Sequence, residues 1–305
     1  MASTWIDLVD PDDAELRKQT PKRLHARALD RLLAPAQHED EPRPTLEGHG
    51  DYVFGVFLVP VAVPDENRVY YQEIDLVLTR ELVLTARKTP PGGEEPFDTA
   101  GVHETCTRGG VDAPGMVAYH LVDEVAEHYL DLIDALNDKI DELDDHVEDW
   151  PAEQVRGRIS ELRHALLHIR RTLAPTRDAI RGVVDGRIEL DGKELFPHEV
   201  ELHFADSYDK LLRASEGLDF SRDLLAGVRD YSQAKIANDQ NEVVKRLTAI
   251  ASILLVPTFI VGLYGQNFIR SMPELRWRFG YEWSWGLIIV TTIAQIVYFR
   301  KKRWL

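Results

Sequence analysis

The last 65 residues constrain this chain most, because they hold two long apolar runs joined by Tyr264-Gly265-Gln266-Asn267-Phe268. The first run, Leu247 to Tyr264, has 18 residues without a charge. The second, Trp283 to Phe299, has 17 and stops at Arg300-Lys301-Lys302-Arg303. At about 1.5 Å per residue each run covers roughly 26 Å, and aromatic flanks with a short helical extension bring this to the ~30 Å of a hydrocarbon core. A buried helix of a soluble protein normally keeps a polar face at this length and lacks a terminal Arg/Lys cluster. The pattern predicts two membrane spans.

Charge separates the rest of the chain from this hairpin. Residues 241–305 carry 9 Lys/Arg against 3 Asp/Glu, so an overall formal charge of −16 leaves about −22 on the preceding 240 residues. Such a field repels nucleic acid and gathers cations, and its carboxylates are hard oxygen ligands suited to divalent metals. The opening Met1-Ala2-Ser3-Thr4-Trp5-Ile6-Asp7 has no basic stretch followed by an apolar core, so it does not read as a signal peptide. With the long N-terminal portion untranslocated, a hairpin places both termini on the cytoplasmic side of a plasma (inner) membrane. Lys245 and Arg246 before the first run and the basic cluster after the second agree with that orientation. One cysteine, Cys106, rules out an internal disulfide and fits a reducing compartment.

Residues 1–118 read as an α/β domain. Helical segments fall around Asp12 to Leu33, and three strands follow at Asp51 to Val59, Val69 to Leu78 and Glu81 to Ala86, rich in β-branched and aromatic residues. Ala34 to Gly50 and Arg87 to Gly115 read as loops. Over 119–196 the character changes to antiparallel acidic helices. Leu121, Val125, Tyr129, Leu132, Leu136, Ile140 and Leu143 recur at helical spacing opposite Asp and Glu, Pro151 breaks the first helix, and Pro175 predicts a kink in the second. A third helix begins near Pro197 and meets no proline before Pro257, so a stalk over 197–246 continues into the first span, 247–264. About 65 helical residues make a rod near 100 Å, longer than a globular domain needs, and this implies an oligomer. An outer loop, 265–282, a second span, 283–299, and a basic cytoplasmic tail, 300–305, complete the chain.

Along the third helix, steps of three and four put Asn241, Val244, Thr248, Ala251, Leu255, Thr258 and Gly262 on one line. A small, partly polar seam serves close helix packing, or lines a watery pore in which Leu255 or Leu247 forms an apolar constriction. Spacing alone leaves both open, and Asn241 beside the membrane tilts the choice toward the pore. Beyond the span, Gly265 and Asn267 fit a helix C-cap. Asn267 repeated around a symmetric ring would equally present carboxamide oxygens to a hydrated cation.

The stretch NEVVKRLTAIASILLVPTFIVGLYGQNF, followed by MPELRW, GY, the second apolar run and the ending KKRWL, closely resembles the CorA family of magnesium transporters, within the two-span Gly-X-Asn superfamily. Trp5-Ile6-Asp7, the strands and the acidic helices extend the resemblance over the whole chain. It implies a funnel-shaped homopentamer with an α+β cytoplasmic domain, long stalk helices and a two-helix transmembrane hairpin. In that frame the seam from Asn241 to Gly262, with Leu247, lines the pore, and Tyr264, Gly265, Gln266 and Asn267 form the outer selectivity loop. Regulatory magnesium would bridge Asp206 on the stalk to a carboxylate of a neighbouring protomer, for which Asp65 is the expected donor.

Two residues depart from the family pattern: Gln266 stands where Met is usual, and Arg270 where an acid is common. The implied function is channel-type Mg2+ uptake driven by membrane potential, extending to Co2+ or Ni2+, with a proton-linked Zn2+ transporter as the alternative. A metal sensor anchored by the hairpin is a third possibility. No enzyme is expected. His164 and His168 stand four apart without an HExxH motif or a third ligand, His103 and Cys106 are equally isolated, and no GxxxxGK[ST] phosphate loop occurs.

Overall fold

The computed structural model describes residues 4–36, 41–62, 69–90, 97–109, 113–190, 195–266 and 272–305. Its packing divides into Met1–Arg229 and Asp230–Leu305. In the first unit, strands β1 (Thr4–Val9), β2 (Thr45–Gly48), β3 (Val53–Ala62), β4 (Val69–Leu78) and β5 (Leu82–Lys88) form one sheet in the order β1-β5-β4-β3-β2. β1 runs parallel to β5 and the other pairs are antiparallel. β4 is buried along its length, as a central strand covered on both faces must be. Leu84, Ala86, Val77 and Phe54 meet Leu16 and Leu32 of helices α1 (Asp13–Gln19) and α2 (Ala26–Leu33) on one face. The opposite face, with Val83, Leu78, Leu76 and Val53, joins the core built by α3 (Ala100–Gly109), α4 (Pro114–His146) and α5 (Ala152–Val184).

The sheet therefore has two strands beyond the three expected, and the predicted loop over 87–115 contains α3. The reasons are physical. β1 is an edge strand that gains its place by pairing with residues about 80 positions away. Its middle residue, Asp7, turns inward to accept from Thr85 Oγ1 (2.6 Å), Arg87 Nη2 (2.7 Å) and Thr99 Oγ1 (2.8 Å), so apolar alternation is lost. α3 buries only Val102 and Cys106, too few to show a helical period.

A second buried ionic group lies across β4 and β5. Lys88 Nζ contacts Glu73 Oε1 at 3.0 Å and Asp75 Oδ2 at 2.5 Å and donates to Ala34 O at 2.8 Å. Burial pushes the Asp75 carboxyl up to about 7; Lys88 works against this, and the Glu73 charge adds to it.

α6 (His198–Gly265) is a single helix with Pro257 inside it. Within the first unit it runs parallel to α4 at a constant offset. Ser207 Oγ donates to Asp123 Oδ1 (2.9 Å) and Ser221 Oγ to Asn137 Oδ1 (2.6 Å), both 84 residues apart. Gly217 completes the register, since a Cβ there would stand 3.0 Å from Ile133 Cγ2. α5 is unbroken across Pro175.

The second unit holds the rest of α6, a short 3-10 turn (Pro273–Arg276) and α7 (Gly280–Lys301). Both helices are long and apolar enough to span a membrane, and only 11% and 6% of their apolar windows are buried. Helices this apolar and this exposed need lipid or further copies around them. Trp277, Phe279, Tyr281, Trp283 and Trp285 are exposed around the start of α7. At its end Arg303 takes a positive φ of 58°, Trp304 N bonds Phe299 O at 2.9 Å, and the Trp304 ring stacks on Phe299. Aromatic residues at one end and a basic, left-handed cap at the other are what two membrane interfaces favour. The α+β domain, long helices and C-terminal apolar hairpin match the organisation expected from the sequence.

Candidate ion pathway

Asn241, Val244, Leu247, Thr248, Ala251, Leu255, Thr258 and Gly262 are all exposed on α6. From Asn241 to Gly262 the stripe is about 32 Å long, and it begins about 9 Å before the apolar run. The buried residues of the same stretch, Ala249 and Ile260, lie roughly 140° around the helix from the centre of the stripe at 100° per residue. Ile253 and Val256, on that side, are also partly covered, and on its flank Gln295 Nε2 of α7 donates to Ser252 O at 3.1 Å. The small residues of the stripe are thus not covered by the second helix of their own hairpin, which leaves them to face lipid, another copy or water.

Thr248 Oγ1 donates to Val244 O and Thr258 Oγ1 to Leu254 O, each at 2.8 Å. With its proton tied to its own helix, each hydroxyl offers only lone pairs outward, toward donors such as the water shell of a cation. Leu247, just before the first of them, is 61% exposed and Leu255, between the two, 69%, so the stripe alternates acceptors with bulky apolar groups.

At the far end Gln266 N bonds Leu263 O at 3.3 Å, continuing the last turn of α6, and Tyr264 is half-buried. Gly265 lacks a left-handed φ and has open space where a Cβ would stand. Gly265 therefore does not form a left-handed cap, and among the described residues nothing crowds the place of its Cβ. Asn267, Phe268 and Arg270 lie outside the described residues.

On the first unit, Asp206 is exposed beside an open cavity of about 570 Å3 lined by Tyr119, Asp209, Lys210 and Arg213. Lys210 pairs with Asp123 at 2.9 Å and also with Glu127. Burial works to lower its pKa, but the bonds to Glu127 and Asp123 together outweigh that and raise it. Among the described residues no group of three or more His, Cys, Asp or Glu could hold a metal, so Asp206 belongs to no such group there. Asp65 lies outside the described residues. His168 bonds Glu41 at 2.9 Å rather than pairing with His164, His103 stacks on Trp5, and Cys106 is buried. Gln295 was not singled out from the sequence, although a lone carboxamide in a charge-free run is a legible signal.

Comparison with known proteins bears on the family and the fold. The profile of the family described as CorA-like Mg2+ transporter protein matches residues 2–301. A cobalt/magnesium transport protein CorA of Thermotoga maritima is 28% identical over 306 residues, covering 99% of this chain and 83% of its own. The complete structure of the CorA magnesium transporter from Methanocaldococcus jannaschii superposes with a TM-score of 0.78 at 22% identity, covering 99% of this chain and 91% of that one. At that identity the superposition establishes the fold.

Proposed function

The chain belongs to the CorA-like Mg2+ transporter family, and on that premise we propose that it is a channel-type transporter that admits Mg2+ down the membrane potential. The observation that carries this reading is the stripe on α6: a line of outward lone pairs and apolar collars that runs through the first span and is left uncovered by the other apolar helix of the hairpin. One chain cannot close a pore, so the stripe requires copies around an axis. The family resemblance supports a homopentamer in the plasma membrane, with both termini cytoplasmic.

In this assembly Asn241 narrows the inner mouth, while Leu247 and Leu255 form collars that gate by dewetting. Tyr264, Gly265, Gln266 and Asn267 receive the hydrated ion outside. Mg2+ dehydrates reluctantly, so a ring of neutral oxygens recognises its water shell rather than the bare ion. A divalent ion gains about 4.6 kcal/mol per 100 mV, from roughly 2.3 kcal/mol per charge, so uptake needs no nucleotide. Intracellular Mg2+ shared between Asp206 and a neighbour's Asp65 would hold the pore closed. A relative named for cobalt as well as magnesium supports Co2+ as a second cargo.

The test is flux into proteoliposomes of Mg2+, Co2+, Ni2+ and Zn2+ at matched potential, with and without a pH gradient. Mg2+ entry that follows potential and ignores the pH gradient is expected. Zn2+ flux that follows the proton gradient would overturn the reading. Asn267→Ala should abolish Mg2+ flux while the assembly stays intact by size-exclusion chromatography.

A further inference from the structure

The second span carries a carboxamide that the transport reading does not use. Gln295 Nε2 donates to Ser252 O at 3.1 Å, while its Oε1 is buried with no hydrogen-bond partner among the described residues. Gln295 stands five residues before Arg300, and Ser252 five residues after Leu247, so the two meet at one depth, about 7.5 Å inside the run. In hydrocarbon a carboxamide with an empty acceptor is costly, and a methionine of similar size would fill the space without that penalty. Space-filling therefore does not explain the residue, and what it adds is the bond to Ser252.

That bond falls on the weakest turn of α6. Pro257 has no N–H, so the Ile253 carbonyl loses its helical partner, and the ring crowds that carbonyl, which makes this the turn where a long helix bends most readily. The carbonyls on either side are both braced by side chains. Thr258 Oγ1 holds Leu254 O at 2.8 Å from within the helix, and Gln295 holds Ser252 O from α7. Among the described residues, Gln295 alone ties this turn to the neighbouring helix by a side-chain hydrogen bond. The other buried positions facing that way, Ala249 before the proline and Ile260 after it, are apolar and tolerate sliding.

We propose that Gln295 is a positioning residue that pins α6 beside Pro257 and so sets where Leu255 and Thr258 stand relative to Leu247 along the ion path. The proposal rests on the transport reading. Without the pin the bend at Pro257 samples a wider range and the stripe is aligned less of the time.

Gln295→Met should lower potential-driven Mg2+ flux in proteoliposomes by about threefold to fifteenfold, the range of a single hydrogen bond between membrane helices. Gln295→Asn, whose amide is one methylene too short, should do the same. In a Pro257→Ala background, where Ile253 O regains its partner, Gln295→Met should change flux less than twofold. Flux within twofold of the parent for Gln295→Met, or an equal loss with and without Pro257, overturns the proposal. A second readout is the infrared band of an isotope-labelled Ser252 carbonyl in the full chain. It should move to higher frequency in Gln295→Met as the extra bond is lost, and an unmoved band overturns the pin even if Pro257→Ala does not assemble. If the parent chain passes no divalent cation, the transport reading fails separately, and the carbonyl band still decides whether the pin exists.

Discussion

Replacing Lys88 by methionine tests the buried ionic group of the sheet. Its side chain is 9% exposed, and it is held between Glu73, at 7%, and Asp75, at 0%. Methionine fills nearly the same volume, so little of the effect is a cavity. What is lost is the cation that lets two carboxylates stay in the interior, and removing one partner of a buried ion pair costs about 3–5 kcal/mol. The Asp75 carboxyl already sits at about 7 because of burial, with Lys88 opposing the shift, so in the variant it must hold a proton to remain buried. A folded pKa above the unfolded one means the folded state binds more protons in between. Stability therefore falls as pH rises through that window and recovers as pH falls.

At pH 8 the variant should lose the full 3–5 kcal/mol, which for a unit of this size lowers the melting temperature by roughly 6–20 °C. Near pH 5 most of the loss should vanish. Thermal melts of the detergent-solubilised protein, followed by circular dichroism at pH 5, 6.5 and 8, read this directly. An equal deficit at pH 5 and pH 8 would refute the electrostatic argument and leave only packing.

Three further outcomes follow from the geometry. Thr258→Val keeps the shape but removes the outward lone pairs, and should cut Mg2+ flux by about tenfold, the scale of one lost charge-facing hydrogen bond, whereas Thr258→Ser should stay within about threefold; similar flux in both variants would remove the hydroxyl from the path. Gly217→Leu forces a branched side chain where even a Cβ meets Ile133 at 3.0 Å; it should destabilise the α4–α6 contact by about 1–3 kcal/mol, read as a lower denaturation midpoint, and an unchanged midpoint would show that the helices part freely. Asp206→Ala should weaken the protection that Mg2+ gives α6 against proteolysis, and unchanged protection would take Asp206 out of regulation.

The sequence by itself determined what depends on near neighbours along the chain. Uncharged runs of 18 and 17 residues with aromatic and basic flanks define spans because the bilayer requires length and low charge, and the residues that satisfy it are contiguous. The apolar periodicity from Leu121 to Leu143 likewise marks α4, and the line from Asn241 to Gly262 is a consequence of helical pitch alone.

Where remote segments meet, only the tertiary structure decided. β1 pairs with β5 across about 80 residues, and Asp7 breaks the alternation that would have marked it, because its partners Thr85, Arg87 and Thr99 come from elsewhere in the chain. The sequence leaves the stripe on α6 as either packing seam or ion path. It is the placement of α7, against Ser252 and on the side of Ala249 and Ile260, that frees the stripe from the hairpin. Helical pitch fixes which residues share a face, but which face is covered depends on a second helix whose approach is set by non-local contacts.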